Sequence, residues 1–448
     1  MTFDRESLSL LDEALAVLAD GFRDLPQIPT SIDLAQLREP LLAAAQRLQN
    51  NDPYHHPLYI GHMQKPPHPV ARLAYCLTLW INPNNHAYDG GHASSVMELE
   101  AIGEIARMFG WESCQGHLCG GGTLANFEAL WIARERLPGK TIAASTQAHY
   151  THERLSGVLG APFQAIPADR QGRMDVAALE SALHSREIGT VVVTLGTTAT
   201  GAVDPLDQIL ALRSRHEFRI HVDAAYGGYF TLANNLDAET RRALDLVSQA
   251  DSIAIDPHKH GLQPYGCGCV LFRDPDVKRH YLHDSPYTYL STDDPHLGEI
   301  SLECSRPGAA AAALWATQRL LPLVPGGVFA QGLASGREAA LALYRALAVD
   351  NRFAPLFRPQ LDIVVWAVRA DTSSQASLLA RAFYIATKKR DLHLSLVTIP
   401  KAMLEAAAPV RTWDADTITC LRACVMKPEH REWMTEILAR LDAAAEDV

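Results

Sequence analysis

RIHVDAAYGG (219–228) and SIAIDPHKHG (252–261) govern how the rest of the chain is read. Each opens on a short apolar run of β-forming residues and breaks off in small or turn-forming ones. A charged side chain, Asp223 or Lys259, sits where the run stops. A helical pattern at 237–247 separates them, as expected of two strands joined by a crossover helix. TVVVTL (190–195) is apolar throughout, which suits a strand buried on both faces.

The same rhythm extends in both directions. Upstream lie a helix (93–109), a strand near 113–119, a glycine-rich turn, a helix (123–137) and strand TIAAS (141–145). Then follow a helix (151–159), strand FQAIP (162–166), a helix (175–184) and, after TVVVTL, a helix (205–216). CGCVLF (267–272) is a further strand, with Cys267 and Cys269 on one face as buried thiols. Alternation of this kind predicts a mostly parallel sheet covered by helices on both faces. Two amphipathic helices (5–20 and 34–49), linked by DLPQIPTSID (24–33), precede a His-, Pro- and Asn-rich stretch at 51–92. Beyond a helix-rich region (308–347) containing a hinge-like VPGG (324–327), three strands are expected at 361–368, 392–399 and 416–426, with helices at 374–388 and 429–445. The expected division is an N-terminal helical segment (1–65), a large domain (66–325) and a small C-terminal α/β domain (326–448).

Composition narrows the function classes. Forty basic against 51 acidic residues leave a formal charge of −11, which gives no pull toward nucleic acid or an anionic membrane. The chain has no apolar run of membrane-spanning length and no leader-like start, so the cytoplasm is the expected compartment. The eight cysteines lack paired CxxC spacing, and no metal site is expected.

Four signatures carry chemistry, each at the end of an expected strand, where open α/β sheets bind ligands. In CGGGTLANFEAL (119–130), three glycines before a helix let backbone N–H groups approach an anion. Gly122 and Thr123 are the candidate phosphate contacts, although such a turn can also be only a tight turn. Asp223 ends a buried strand and requires a cationic partner. A protonated pyridine would serve, as would a role as helix cap or metal ligand. Ala225, two residues on, leaves room for a flat ring. Lys259 follows an apolar strand, where desolvation beside other cations would lower its pKa and make it a carbonyl-reactive amine; a solvated loop lysine is the plainer alternative. His149, in STQAHYTHERLSG (145–157), is placed to stack on a ring or to serve structure alone.

Taken in order and spacing, GGGTLAN, QAHYTHE, LGTTATG, HVDAAYGG, DPHKHG and ECSRPG resemble the group II pyridoxal-phosphate (PLP)-dependent amino-acid decarboxylases, which include glutamate, aromatic-amino-acid and diaminobutyrate decarboxylases. The resemblance covers roughly 50–320 and implies the fold-type-I PLP-dependent transferase fold, with a mostly parallel seven-stranded sheet and a small C-terminal domain. It further implies covalent attachment of PLP at Lys259, Asp223 on the pyridine nitrogen, and His149 and Ala225 on opposite ring faces. Thr197 would lie near the cofactor, and Gly122, Thr123 and His258 would meet the phosphate. Ser305 would reach the phosphate of a neighbouring subunit, so the expected assembly is a homodimer with shared active sites.

The expected reaction is decarboxylation of an L-amino acid to the amine and CO2, with another fold-type-I lyase or an aminotransferase as the alternative and a non-catalytic PLP-binding homologue as the last. Arg422, in the small domain, is where an aminotransferase would hold a carboxylate, although the decarboxylases resemble it there too. His62, Gln64 and Lys65, in HPLYIGHMQKPPHP (56–69), suggest an acidic substrate ahead of diamino or aromatic ones; Lys65 pointing to solvent is an equal reading. The stretch 290–303 contains no tyrosine to reprotonate the product, and Tyr287 and Tyr289 lie just upstream.

Overall fold

In the strand Ile188–Thr194 every residue is buried, and sheet strands line up around it. The computed structural model describes residues 4–26, 33–282, 297–404 and 409–448. The larger sheet contains β1 (Gln115–Cys119), β2 (Thr141–Ser145), β3 (Phe163–Ile166), β4 (Ile188–Thr194), β5 (Arg219–Asp223), β6 (Ser252–Ile255) and β7 (Gly268–Phe272). Their order is β1-β7-β6-β5-β4-β2-β3, with β7 antiparallel to both neighbours and all other pairs parallel. The seven-stranded, mostly parallel expectation holds. Boundaries shift where caps intervene: the helix expected from 237 begins at Ala238, because the Asp237 carboxylate accepts the N–H of Thr240 and acts as its N-cap.

One glycine contact sets the shape of the site. A Cβ on Gly268, at the start of β7, would stand 2.5 Å from the Gly121 backbone, so strand and glycine-rich turn touch main chain to main chain. Gly121 itself has φ +148°, a backbone conformation that L side chains rarely adopt.

The C-terminal region builds a second, antiparallel sheet from β8 (Phe353–Pro355), β9 (Ile363–Val368), β11 (Ser395–Pro400) and β13 (Thr417–Cys424), in the order β11-β13-β9-β8. A separate ladder joins β10 (Ala370–Thr372) and β12 (Val410–Thr412). The sequence reading expected three strands here; β8, β10 and β12 are three residues each, too short to show a period. Apolar packing is continuous from Val191, Val193 and Ile253 to Ile363, Val365 and Ile418, so the two sheets share one core. The stretch before the large sheet is stitched to the C-terminal one. The Ile60 N–H donates to His393 O at 2.9 Å, and the Cys424 N–H donates to Ile60 O at 2.7 Å.

At the other extreme, the helices Ser7–Asp20 and Leu34–Leu48 have no buried residue, and Leu8, Leu10, Val17, Leu34, Leu37 and Leu41 are exposed. Most of the 24–33 connector lies outside the described residues. No helix among the described residues is long and apolar enough to cross a membrane.

A buried ion pair ties the SRPG turn to the sheet. Arg306 Nη1 donates to Glu98 Oε1 and to Leu118 O, both at 2.6 Å; Glu98 also accepts the Leu118 N–H at 3.0 Å and Asn85 Nδ2 at 2.7 Å. Arg306→Met would strand a buried carboxylate and is expected to lower unfolding free energy by about 3–5 kcal/mol. Adding Glu98→Gln should recover part of that loss, because the orphaned charge is gone. Urea unfolding of the two single variants and the double variant checks this; additive losses would show that the pair is not coupled.

Candidate active site

The carboxyl ends of β2, β4, β5 and β6, together with the turn after β1, enclose a cavity of about 550 Å³. It brings together Gly122, Thr123, His149, Asp223, Ala225, His258 and Lys259, residues spread over more than a hundred positions of sequence. No side chain caps the helix Gly122–Arg136, so its first N–H groups are left to an anion. A Cβ at Gly122 would stand 2.7 Å from Asp256 Oδ2, which keeps this wall as bare backbone. His258 closes the same corner: its ring lies 3.1 Å from where a Gly121 Cβ would be, and its buried Nδ1 has no hydrogen-bond partner.

Asp223 is 5% exposed at the tip of β5. Its Oδ2 is 2.8 Å from His152 Nε2 and 3.3 Å from Asn126 Nδ2, and its Oδ1 accepts the Ala225 N–H at 3.1 Å. Asn126 is braced in turn by His221 at 2.7 Å, and His221 by Ser252 at 2.9 Å. Burial alone would raise the Asp223 pKa. The hydrogen bond and positive field of His152, with the Lys259 charge, outweigh it and hold the carboxyl well below the usual carboxylate range. A permanently ionised, inward-facing carboxylate is what a pyridinium N–H needs, and the cavity is large enough for such a ring.

Lys259 differs from the expectation of a lowered pKa. Burial lowers it, but Asp256 Oδ2, 2.9 Å from Nζ, outweighs burial and raises it. The cations invoked at its flanks are imidazoles that burial pushes down, His149 and His258 among them. His149 is held by a 2.9 Å contact between its Nδ1 and Thr151 Oγ1.

Not every candidate reaches the cavity. Thr197 is fully buried and turned inward, its Oγ1 2.9 Å from Thr200 Oγ1 and accepting the Ala202 N–H; its neighbour Thr198 lines the cavity instead. Ser305 accepts from Asn84 Nδ2 at 3.1 Å and lies outside the cavity of its own chain. Beside it, Glu303 Oε2 accepts the Gly120 N–H at 3.1 Å. From the 56–69 segment only Met63 lines the cavity. His62 is exposed, Gln64 accepts from Tyr59 Oη at 3.1 Å, and Lys65 lines a different cavity. Arg422 is buried on β13 against Ser395 Oγ at 3.3 Å and also lies outside. Single-letter polarity cannot tell which way a loop side chain turns. Tyr287 and Tyr289 fall outside the described residues.

Sequence reasoning passed over His152, Asn126, Asp256 and Tyr226. His152 and Asn126 sit one helical turn from His149 and Gly122, a spacing that could have marked them. Tyr226 carried no such signal; its hydroxyl donates to Asp362 Oδ1 at 2.6 Å.

A backbone anion cradle, an ionised aspartate and a lysine at one rim of a mostly parallel sheet define a PLP-dependent enzyme of fold type I. Residues 131–369 match the pyridoxal-dependent decarboxylase conserved domain, and the chain belongs to that family of PLP-dependent carboxy-lyases. It is 29% identical over 439 residues to an L-tyrosine decarboxylase of Levilactobacillus brevis, covering 73% of this chain and 70% of the relative. To a probable L-aspartate decarboxylase of Halobacterium salinarum it is 32% identical over 254 residues, covering 56% of this chain and 69% of that protein. Among solved structures, mouse CSAD superposes with TM-score 0.77 at 23% identity, over 100% of this chain and 93% of that one.

His152→Leu removes a charge-assisted hydrogen bond from Asp223, worth about 2 kcal/mol. The expected outcome is roughly 30-fold weaker binding of PLP to the apoprotein, followed by fluorescence titration. His152→Gln, which retains a donor, should restore most of it. Equal losses in both variants would make His152 a packing residue. Because the Asp223 pKa is depressed in the folded chain, its stabilisation is present above the unfolded value of about 4 and lost only in stronger acid, so the difference should be complete at neutral pH.

Proposed function

We propose that this protein decarboxylates an L-amino acid with an uncharged, aromatic or apolar side chain, at a site completed by a second copy of the chain. The observation that supports the chemistry best is the convergence of Lys259, Asp223 and His149 on one cavity. PLP, when bound, supplies an electron sink for the pair released as the bond from Cα to the carboxylate breaks. In this reading Lys259 Nζ holds the cofactor covalently and later returns a proton to Cα. The carboxylate of Asp223 would take the pyridine N–H, and His149 and Ala225 would hold the ring. Gly122, Thr123 and His258 receive the phosphate.

The substrate preference rests on what lines the cavity. Met63 and Tyr226 contribute there, whereas Lys65 and Arg422, the cations that would suit a second carboxylate, do not. The acidic preference expected from the 56–69 segment therefore loses its support from this chain, and the relatives' names span tyrosine and aspartate. Arg422 outside the cavity also weighs against an aminotransferase. A panel of tyrosine, tryptophan, 2,4-diaminobutyrate, glutamate and aspartate, assayed for CO2 and amine, tests the proposal. Faster turnover of either dicarboxylic acid would reverse the preference, and keto-acid product would refute decarboxylation.

Borohydride reduction of the holoprotein and peptide mass analysis should place the pyridoxyl group on Lys259, and Lys259→Ala should lose both adduct and turnover while keeping its fold. An adduct elsewhere would overturn the site.

The dimer is supported by the position of Ser305, exposed at a turn and outside its own cavity, and by the exposed apolar residues of the two N-terminal helices, among them Leu8, Val17, Leu34 and Leu41. Two inactive variants, Lys259→Ala and Ser305→Trp, test it. In a heterodimer with shared sites one site carries both lesions and the other none, so a mixture should regain roughly a quarter of wild-type activity. Proven heterodimers without activity would refute a contribution of Ser305 in trans. A cytoplasmic location accompanies this reading, the charge and the lack of an apolar span being what supports it.

A further inference from the structure

A second cavity, of about 200 Å³, forms where residues 55–68 cross the helix Val328–Val349 and the turn at 427–429. Its polar lining is mostly nitrogen: Lys65, Lys427, His55, His68 and His260 line it, with Glu429 as the carboxylate. Lys427 is 3% exposed and donates one N–H to Tyr59 O at 2.6 Å. Lys65 Nζ has Met426 O at 3.5 Å. An ammonium carries three donors, and among the described residues no ion pair joins either lysine to a carboxylate within 4.0 Å. His260, 1% exposed, has no hydrogen bond at either ring nitrogen; Asp362 Oδ2 lies 3.3 Å away but out of line. Burial pushes Lys427 down to about 7 and Lys65 down to about 8, outweighing the pull of Glu429 on both and of Asp362 on Lys65, neither of which comes within ion-pair distance.

We infer that this cavity binds a small oxyanion of the carboxylate or phosphate class, held between the Lys65 and Lys427 ammoniums with the His260 ring as a further donor. Such an anion supplies both the missing acceptors and the missing charge, which water alone does not. The site is also wired to the cofactor cavity. Asp362 stands beside His260 through Oδ2 and accepts the Tyr226 hydroxyl through Oδ1, and Tyr226 lines both the hydrogen bond and the cofactor cavity wall.

Calorimetric titration of the PLP-loaded protein with inorganic phosphate and with acetate, at constant ionic strength, tests the inference. PLP covers the phosphate cradle, so the second cavity is the site read. The expected result is saturable binding of one anion per chain by phosphate, acetate or both, weakened at least tenfold in Lys427→Met and in Lys65→Met. Chloride binding as tightly as both would overturn the oxyanion class. Lack of saturable heat, or heat unchanged in both variants, would overturn the site. If the variants fail to fold, selenate soaked into wild-type crystals decides: an anomalous peak between the two Nζ atoms supports the site, and a water-filled cavity refutes it.

Discussion

A carboxylate held ionised inside protein is the constraint around which the site is arranged. Asp223 stands at the end of a strand whose last four residues are buried, where an unpaired charge would be expensive. The chain meets this with His152, Asn126 and the Ala225 N–H on one carboxylate, and backs Asn126 with His221 and Ser252. This network reaches from the helix after the glycine-rich turn, through His152 on the helix Thr151–Leu159, to β6. The rim of the sheet is thereby cross-braced around one acid, and each element that the acid recruits also presents a group to the cavity.

Asp256 plays the matching part for the lysine. It ends the strand beside the Asp223 strand, pairs with Lys259 and abuts Gly122, so lysine and anion cradle are positioned by the same carboxylate. The main-chain contact between Gly121 and Gly268 presses the cradle against β7 from the other side. Two acids of opposite duty thus lie at neighbouring strand ends. One is kept ionised by His152 at the cavity wall, and the other holds the Lys259 ammonium. Parallel strands place such ends side by side without any loop having to reach.

The C-terminal sheet contributes indirectly. Its strand β9 begins just after Asp362, which anchors the Tyr226 hydroxyl, and its edge receives residues 58–61 so that Met63 meets the cavity. The placement of Met63 and Tyr226 therefore depends on how three distant stretches of chain are stitched together, whereas Gly122, His149, Asp223 and Lys259 come from the rim of one sheet.

That difference explains how legible each part was. Strand and helix periods made the seven strands readable, and the strand-end positions of Asp223, Lys259, His149 and Gly122 followed, because where an apolar run stops is a local property of the sequence. Partners were not readable. His152 and Asn126 acquire their roles across gaps of 71 and 97 residues that the fold closes, while Asp256 lies only three residues before Lys259, whose raised pKa depends on how the turn after β6 aims the two side chains at each other. The directions of Thr197, Lys65 and Arg422 were likewise settled by packing, since a side chain at a turn or sheet edge can face either way until its neighbours fill one side. The sequence by itself determined the fold class through local periodicity and the family through six motifs in fixed order, and it marked Asp223, Lys259, His149 and Gly122 because each lies where a strand stops. The tertiary structure alone decided that His152 pairs with Asp223 and Arg306 with Glu98, and which of the candidate residues line the cavity, because both depend on contacts between segments far apart in the chain.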